Sequence, residues 1–156
     1  MTFNAPSGTR GARQPKASPI MNWANKRMVN RIRRRGGKLG GASLLVLNTV
    51  GKKTGAERAN PVSWFPGEDG SWLIVASAAG GARNPAWFYN IAANPDRVSI
   101  DVDRESIPVI GTQLHDDERE RAWKSITTAA PRFAQYESKT DRLIPIIRLT
   151  RREEKR

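Results

Sequence analysis

Four absences bound the chemistry of this 156-residue chain. Cysteine is missing, which removes disulfides, thiolate metal sites and cysteine nucleophiles and fits a reducing compartment. Histidine occurs once, at His115, so a metal site built on several imidazoles is excluded. No apolar run approaches the roughly 18 residues of a membrane-spanning helix. The N-terminus also has no apolar signal core, so a cytoplasmic location is expected. The fourth absence is local: residues 1–38 hold ten Lys or Arg and no acid.

Hydrophobic residues make up 38 % of the chain, enough for one globular domain. The net charge is +12, from 27 basic and 15 acidic residues. The last 118 residues carry 17 basic and 15 acidic side chains. The charge therefore divides into a nearly neutral body and a cationic arm. Such an arm fits a nucleic-acid backbone or an anionic membrane surface. Trp23 is the only aromatic of its basic helix and no recognition module is visible, so nucleic acid is not the expected partner.

Residues 1–18 are rich in Gly, Pro, Ser and basic residues and read as a disordered tail. Ser18-Pro19 is a helix start, with Ser18 as N-cap and Pro19 at the first helical position. Ile20, Trp23, Ala24, Met28 and Ile32 then recur at helical spacing, which predicts a basic amphipathic helix over 19–35. Gly36-Gly37 ends it. The body, 36–150, begins with strand candidates at 43–50 and 60–65, joined by the turn Gly51–Arg58, and 71–77 follows a Pro-Gly loop. Residues 86–93 read as a short helix stopped by Asn94-Pro95. Residues 97–103 alternate as a one-sided strand. Residues 106–114 form another, in which Pro108 implies an edge or a bulge. A helix over 116–130 and a strand over 143–149 complete the body, and 151–156 is a charged tail. Strands that return as hairpins favour a mainly β, α+β architecture: about six mostly antiparallel strands in a barrel with flanking helices.

Three stretches could carry chemistry. Gly51-Lys52-Lys53-Thr54-Gly55, with Arg58 and Pro61 beyond it, concentrates positive charge at a strand end where backbone N–H groups can cradle a phosphate. The same residues also make an ordinary solvated turn. Ala76 to Trp87 runs from a strand through small residues into a helix start, leaving room for a flat ring and offering N–H groups to an anion. Phe133 and Tyr136 lie three apart ahead of Arg142, and a helical turn would set both rings on one face. His115, before two aspartates, reads as a capping or surface residue.

Taken in order, GKKTGAERANP, ASAAGGARNPAWFYNIAANP and YESKTDRLIPIIRL resemble the deazaflavin-dependent nitroreductase family, actinobacterial oxidoreductases that use coenzyme F-420, an 8-hydroxy-5-deazaflavin. The resemblance covers residues 36–150 and implies a split β-barrel. It places Lys53 and Arg58, with Lys52 and Pro61 beside them, toward the coenzyme's phosphate and oligoglutamate tail. It sets Ala76, Ser77, Ala78, Arg83, Asn84, Pro85 and Trp87 along the deazaflavin ring and phosphate, with Ser77 also facing the substrate. It brings Tyr136 over the ring as a proton or hydrogen-bond donor.

Two departures stand out. Ala78 and Ala79 replace the family's usual Lys-Gly, and Phe133 replaces a tyrosine. Both bear on nitro-compound reduction more than on coenzyme binding. The implied reaction is hydride transfer to a quinone, enone or nitro-type acceptor. A flavin (FMN) or haem ligand in the same fold is the alternative. For the arm, peripheral contact with an anionic membrane through Ile20, Trp23, Met28 and Ile32 stands against simple packing on the barrel. Monomer and homodimer are both compatible with the chain.

Overall fold

The computed structural model describes residues 3–14, 18–39 and 42–153. Its elements in chain order are α1 (Pro19–Arg35), β1 (Lys38–Leu39), β2 (Ala42–Val50), β3 (Glu57–Pro66), β4 (Trp72–Val75), α2 (Ala86–Ala93), β5 (Ser99–Val102), β6 (Glu105–Gln113), α3 (Asp116–Ala129), α4 (Arg132–Lys139) and β7 (Ile146–Arg151). Six strands pair antiparallel in the order β2-β3-β4-β7-β6-β5, and β5 returns to β2 through Leu47 opposite Ile100. The sheet is thus a closed barrel, with β1 as a two-residue addition to β2. Closure leaves none of these six strands with an unpaired long edge.

The strand patterns explain the layers. Leu45, Leu47, Ile74, Ile100, Ile107, Ile147 and Leu149 fill the interior, and Trp87, Phe88 and Ile91 of α2 plug one end. Alternate residues of β4 and β7 face outward under a second layer, where Leu73, Val75 and Ile146 meet Trp123 and Ile126 of α3 and Phe133 of α4. Burial on both faces is why β4 reads as an unbroken apolar run and why β7 opens on Ile146-Ile147 before its polar residues begin at Arg148. Each fully buried side chain of this kind contributes about 1.5–3 kcal/mol.

Ser18 caps α1 through its hydroxyl, which accepts the Met21 N–H at 3.2 Å. The packed face of α1 differs from the expected one. Val29 and Ile32 are buried against Val46, and Asn25 donates to the Ala59 carbonyl at 3.3 Å. Ile20 and Trp23 stand 77 % and 60 % exposed. Arg27 lies over the exposed Trp23 ring at 5.3 Å, and tertiary placement overrides the first part of the helical stripe.

Pro108 is a second departure. It lies inside β6, between β5 and β7, where the strand hands its pairing from Ser99 on β5 to Arg151 opposite Val109 on β7. A missing N–H costs least where one ladder ends and the next begins. Residues 3–14, expected to be without fixed structure, run over the body with defined hydrogen bonds; residues 1, 2 and 15–17 of that tail lie outside the described residues. Of the charged C-terminal tail, Arg151 still belongs to β7 and 154–156 lie outside the described residues.

Candidate functional site

β3 and β4 bring two of the expected stretches to one place. Past the end of β4 the chain turns sharply at Ala78–Gly80, and α4 lies beside the turn. Between them is a cleft of about 230 Å³. Pro61, Val62 and Ser63 of β3, Val75, Ser77, Ala78 and Ala79 along β4 and the turn, Pro85 and Trp87 at the start of α2, and Phe133 and Tyr136 of α4 line it. None of these is charged. Small residues, prolines and aromatic rings together make the cleft lining uncharged and largely apolar.

The rings hold their places edge to face. Phe133 meets Phe65 at 5.7 Å and Tyr136 at 5.6 Å between centroids. Lys139 Nζ lies 5.9 Å from the Tyr136 ring. Ser77 and Tyr136 are the expected catalytic residues, and both are among the residues that line the cleft.

The remaining expected residues fall elsewhere. Ala76 is fully buried in the barrel interior, so its methyl faces the core. Asn84 is buried and occupied: Nδ2 donates to the Ala5 carbonyl at 2.9 Å and Oδ1 accepts from Arg142 at 2.8 Å. Its amide therefore shapes the loop. Arg83 is exposed on the loop. Lys52 and Lys53 occupy the β2–β3 turn, where the Lys52 N–H donates to Asn90 Oδ1 at 3.0 Å and Lys52 Nζ sits 5.9 Å from the Tyr89 ring.

Arg58 borders a separate groove of about 810 Å³ over β2, β3 and β5, which it shares with Arg33, Arg97 and Arg152 and with Glu57, Asp96 and Asp101. Asp101 is held there by Arg33 Nε at 2.8 Å and Asn48 Nδ2 at 3.0 Å. Burial pushes its carboxyl up, but bonds from Asn48, Arg33 and Ser106 outweigh that, and the net shift is downward.

Arg142 is the functional residue that pattern reading left without a role. It is 5 % exposed. Its guanidinium donates to the Gly81 carbonyl from Nε at 2.8 Å, to Asn84 Oδ1 from Nη1 at 2.8 Å and to the Ser77 carbonyl from Nη2 at 2.7 Å. One planar fork thus fixes three points of the loop that forms the cleft wall. Tyr89 lies behind the same loop. Burial raises its phenol, yet bonds with Ser7 and Asn84 and the charges of Arg83 and Arg142 bring it below its ordinary value. An arginine directly before an apolar strand is a usable signal, because burial there demands several acceptors at once.

The closed barrel thus carries an uncharged slot on one side and, at a neighbouring groove, four arginines interspersed with three acids. The comparisons with known proteins name the class. Residues 22–151 match the model of the F420H(2)-dependent quinone reductase family, and the chain belongs to that family. It is 36 % identical over 110 residues to the F420H(2)-dependent quinone reductase Rv1261c of Mycobacterium tuberculosis, covering 69 % of this chain and 73 % of the relative. The fold is shared with a solved F420-H2 dependent reductase (FDR-A), at TM-score 0.60 and 35 % identity over 69 % of this chain and 93 % of that one. A domain-swapped dimer is also similar, at TM-score 0.63 and 31 % identity, covering 84 % and 99 %.

Proposed function

We propose that the chain binds reduced coenzyme F-420 in the cleft between β3, β4 and α4 and reduces a quinone-type acceptor. The observation that carries this reading is the uncharged cleft itself, with Ser77 and Tyr136 among its hydroxyl-bearing residues. The residues fit the group. Ala78, Ala79, Pro61 and Pro85 leave space for a flat ring. Trp87 and Phe133 supply apolar walls that exclude water. Lys52 and Lys53 on the β2–β3 turn, Arg83 on the loop and Arg58 at the neighbouring groove are the cations available outside the cleft for a phosphate and a carboxylate tail. FMN is not needed to account for the site.

When bound, the reduced coenzyme supplies a hydride. The protein's share is orientation, desolvation and a proton. The Tyr136 hydroxyl and the Ser77 hydroxyl hold an acceptor carbonyl oxygen, and the Tyr136 hydroxyl donates the proton to that oxygen as it gains electrons. With no cysteine and one histidine in the chain, the proposed proton transfer is assigned to the Tyr136 hydroxyl.

Equilibrium titration tests binding, and oxidation of the reduced coenzyme on addition of menadione tests turnover. Micromolar binding with quinone-dependent oxidation is expected. Binding of FMN with none of the deazaflavin would overturn the reading.

A second reading concerns α1. No helix among the described residues is long and apolar enough to cross a membrane. The first turns of α1 nevertheless leave Ile20, Met21 and Trp23 exposed beside Lys26 and Arg27. We infer that this end of the helix lies on an anionic membrane surface while its other end, through Val29 and Ile32, stays on the barrel. A quinone dissolved in that membrane would then be close to the protein. Sedimentation with anionic but not neutral liposomes is the expected result, and failure to sediment at low salt would end the idea.

A further inference from the structure

The loop that follows β4 is held in a conformation that its residues do not favour. Ala78, Ala79 and Gly80 follow one another at φ of 46°, 52° and 84°. Two consecutive alanines in the left-handed region persist only where the surroundings support them. Arg142 supports the loop from inside, as described above.

The outside is held by the N-terminal segment. The Gly8 N–H donates to the Ala82 carbonyl at 2.7 Å, the Ala12 N–H to the Gly80 carbonyl at 2.9 Å and Gln14 Nε2 to the Ala78 carbonyl at 2.8 Å. Alternate carbonyls of the loop are thus taken by this segment.

The segment is fastened in turn at Asp141. That carboxylate accepts the Thr9 N–H at 2.8 Å, the Arg10 N–H at 3.0 Å and the Thr9 hydroxyl. Thr140 Oγ1 donates to the Arg10 carbonyl at 2.7 Å. Two glycines make the approach possible. A Cβ at Gly11 would come within 2.1 Å of the Ala82 nitrogen, and one at Gly8 within 2.3 Å of Asp141 Oδ1. Glycine at both places is what allows two backbones to lie so close.

We propose that residues 8–14 are a strap, latched on Asp141, that positions the Ser77–Asn84 loop to receive the coenzyme, so that Asp141 and Arg142 act as positioning residues on the loop's outer and inner sides. The proposal rests on the coenzyme reading above. It gives the first part of the cationic arm a task that its charge does not describe, since most of its bonds to the loop and the latch come from backbone amides. The Thr9 hydroxyl and the Arg10 amide hold the Asp141 carboxyl at about 2, so the latch is charged at every pH at which the protein would work.

The experiment uses the full-length chain with Gly11→Val, which drives the strap off the loop, and Asp141→Ala, which removes the latch, singly and together. Each single variant is expected to raise the coenzyme Kd and KM about tenfold by leaving the receptive loop conformation a minor one. kcat should change by less than about twofold, because the bound site is the same. The double variant should be no worse than either single, because both remove one element. Loop amides 78–84 should exchange about tenfold faster in the protein without coenzyme.

A merely destabilised protein would lose kcat through its active fraction and leave KM alone. Thr9→Val, which removes a single hydroxyl bond, is the mild variant should the others unfold, and it should shift KM in the same direction by about twofold. Wild-type exchange rates and KM in Gly11→Val, or effects that multiply in the double variant, would overturn the strap. Should the wild type fail to bind the coenzyme, the functional reading falls, and the exchange rates of the free protein still decide the strap.

Discussion

The cleft over β3 and β4 and the groove over β2 and β5 belong to one barrel but are built from opposite material. The cleft, at about 230 Å³, is lined by alanine, proline, valine, rings and two serines, with no charged side chain. The groove, at about 810 Å³, is edged by four arginines and three acids. A single strand serves both, since Pro61 lines the first and Arg58 the second. Three residues of extended chain separate them by roughly 10 Å. On the function proposed above, the contrast shows how one small barrel would meet a ligand that is a flat neutral ring at one end and an anion at the other. Apolar surface is placed where water must leave, and charge where water can stay.

That contrast can be broken from either side. The largest effect is expected from filling the cleft. Ser77→Trp should cut quinone-dependent oxidation of the coenzyme by about a hundredfold, because a small misplacement of the reacting ring already costs that much. Steady-state kinetics with the protein's melting temperature measured alongside will show it, and near-normal turnover would move the ring elsewhere.

Arg58→Ala addresses the groove. It should weaken coenzyme binding about tenfold and flatten its salt dependence, with kcat little changed. Titration at two ionic strengths checks this, and an unaltered affinity would separate the groove from the coenzyme. Trp23→Ser should lower partition onto anionic vesicles about fivefold while leaving coenzyme affinity as it is, because that residue belongs to neither concavity.

The smallest effect concerns the wall of the groove, where Arg33 of α1 meets Asp101. The Asp101 carboxyl lies below its ordinary value in the folded protein. Its contribution is therefore present above the unfolded-state value near 3.8 and is lost as pH falls below it. Asp101→Asn should remove that acid sensitivity from the melting curve between pH 5 and pH 3, at a cost of roughly 0.5 kcal/mol after solvent screening.

Much of the fold can be read from local pattern. The Ser18 cap, the helix over 86–93 and the hairpin on Gly51 each depend on neighbours within a few residues. The bounds of α2 match the expected span, and β2 differs by one residue. The candidate site was legible to the extent that it uses contiguous stretches: Ser77, Ala78, Pro85, Trp87 and Tyr136 meet in the cleft. It was not legible where a side chain's partner is remote. Asn84 and Ala76 lie in the right stretch, but one amide is claimed by Ala5 and Arg142 and the other residue's methyl points into the core. The face of α1 failed for the same reason. A helical stripe ranks its own residues by hydrophobicity but cannot see that the barrel meets α1 through Asn25, Val29 and Ile32 and leaves Ile20 and Trp23 exposed.

The sequence by itself determined the two-part charge, the barrel-forming run of hairpins, the absence of thiol and multi-histidine chemistry and the three motifs of the family. These are local or compositional properties, set by propensity, turn chemistry and residue type. Tertiary structure alone decided that β5 closes on β2, that Arg142 spends its whole guanidinium on one loop, and that part of an acid-free tail lies along that loop. Each depends on residues that are remote in the chain, as Arg142 is from Ser77 or Asp141 from Thr9. Such contacts form only after packing has brought the segments together, and no window of sequence contains both partners.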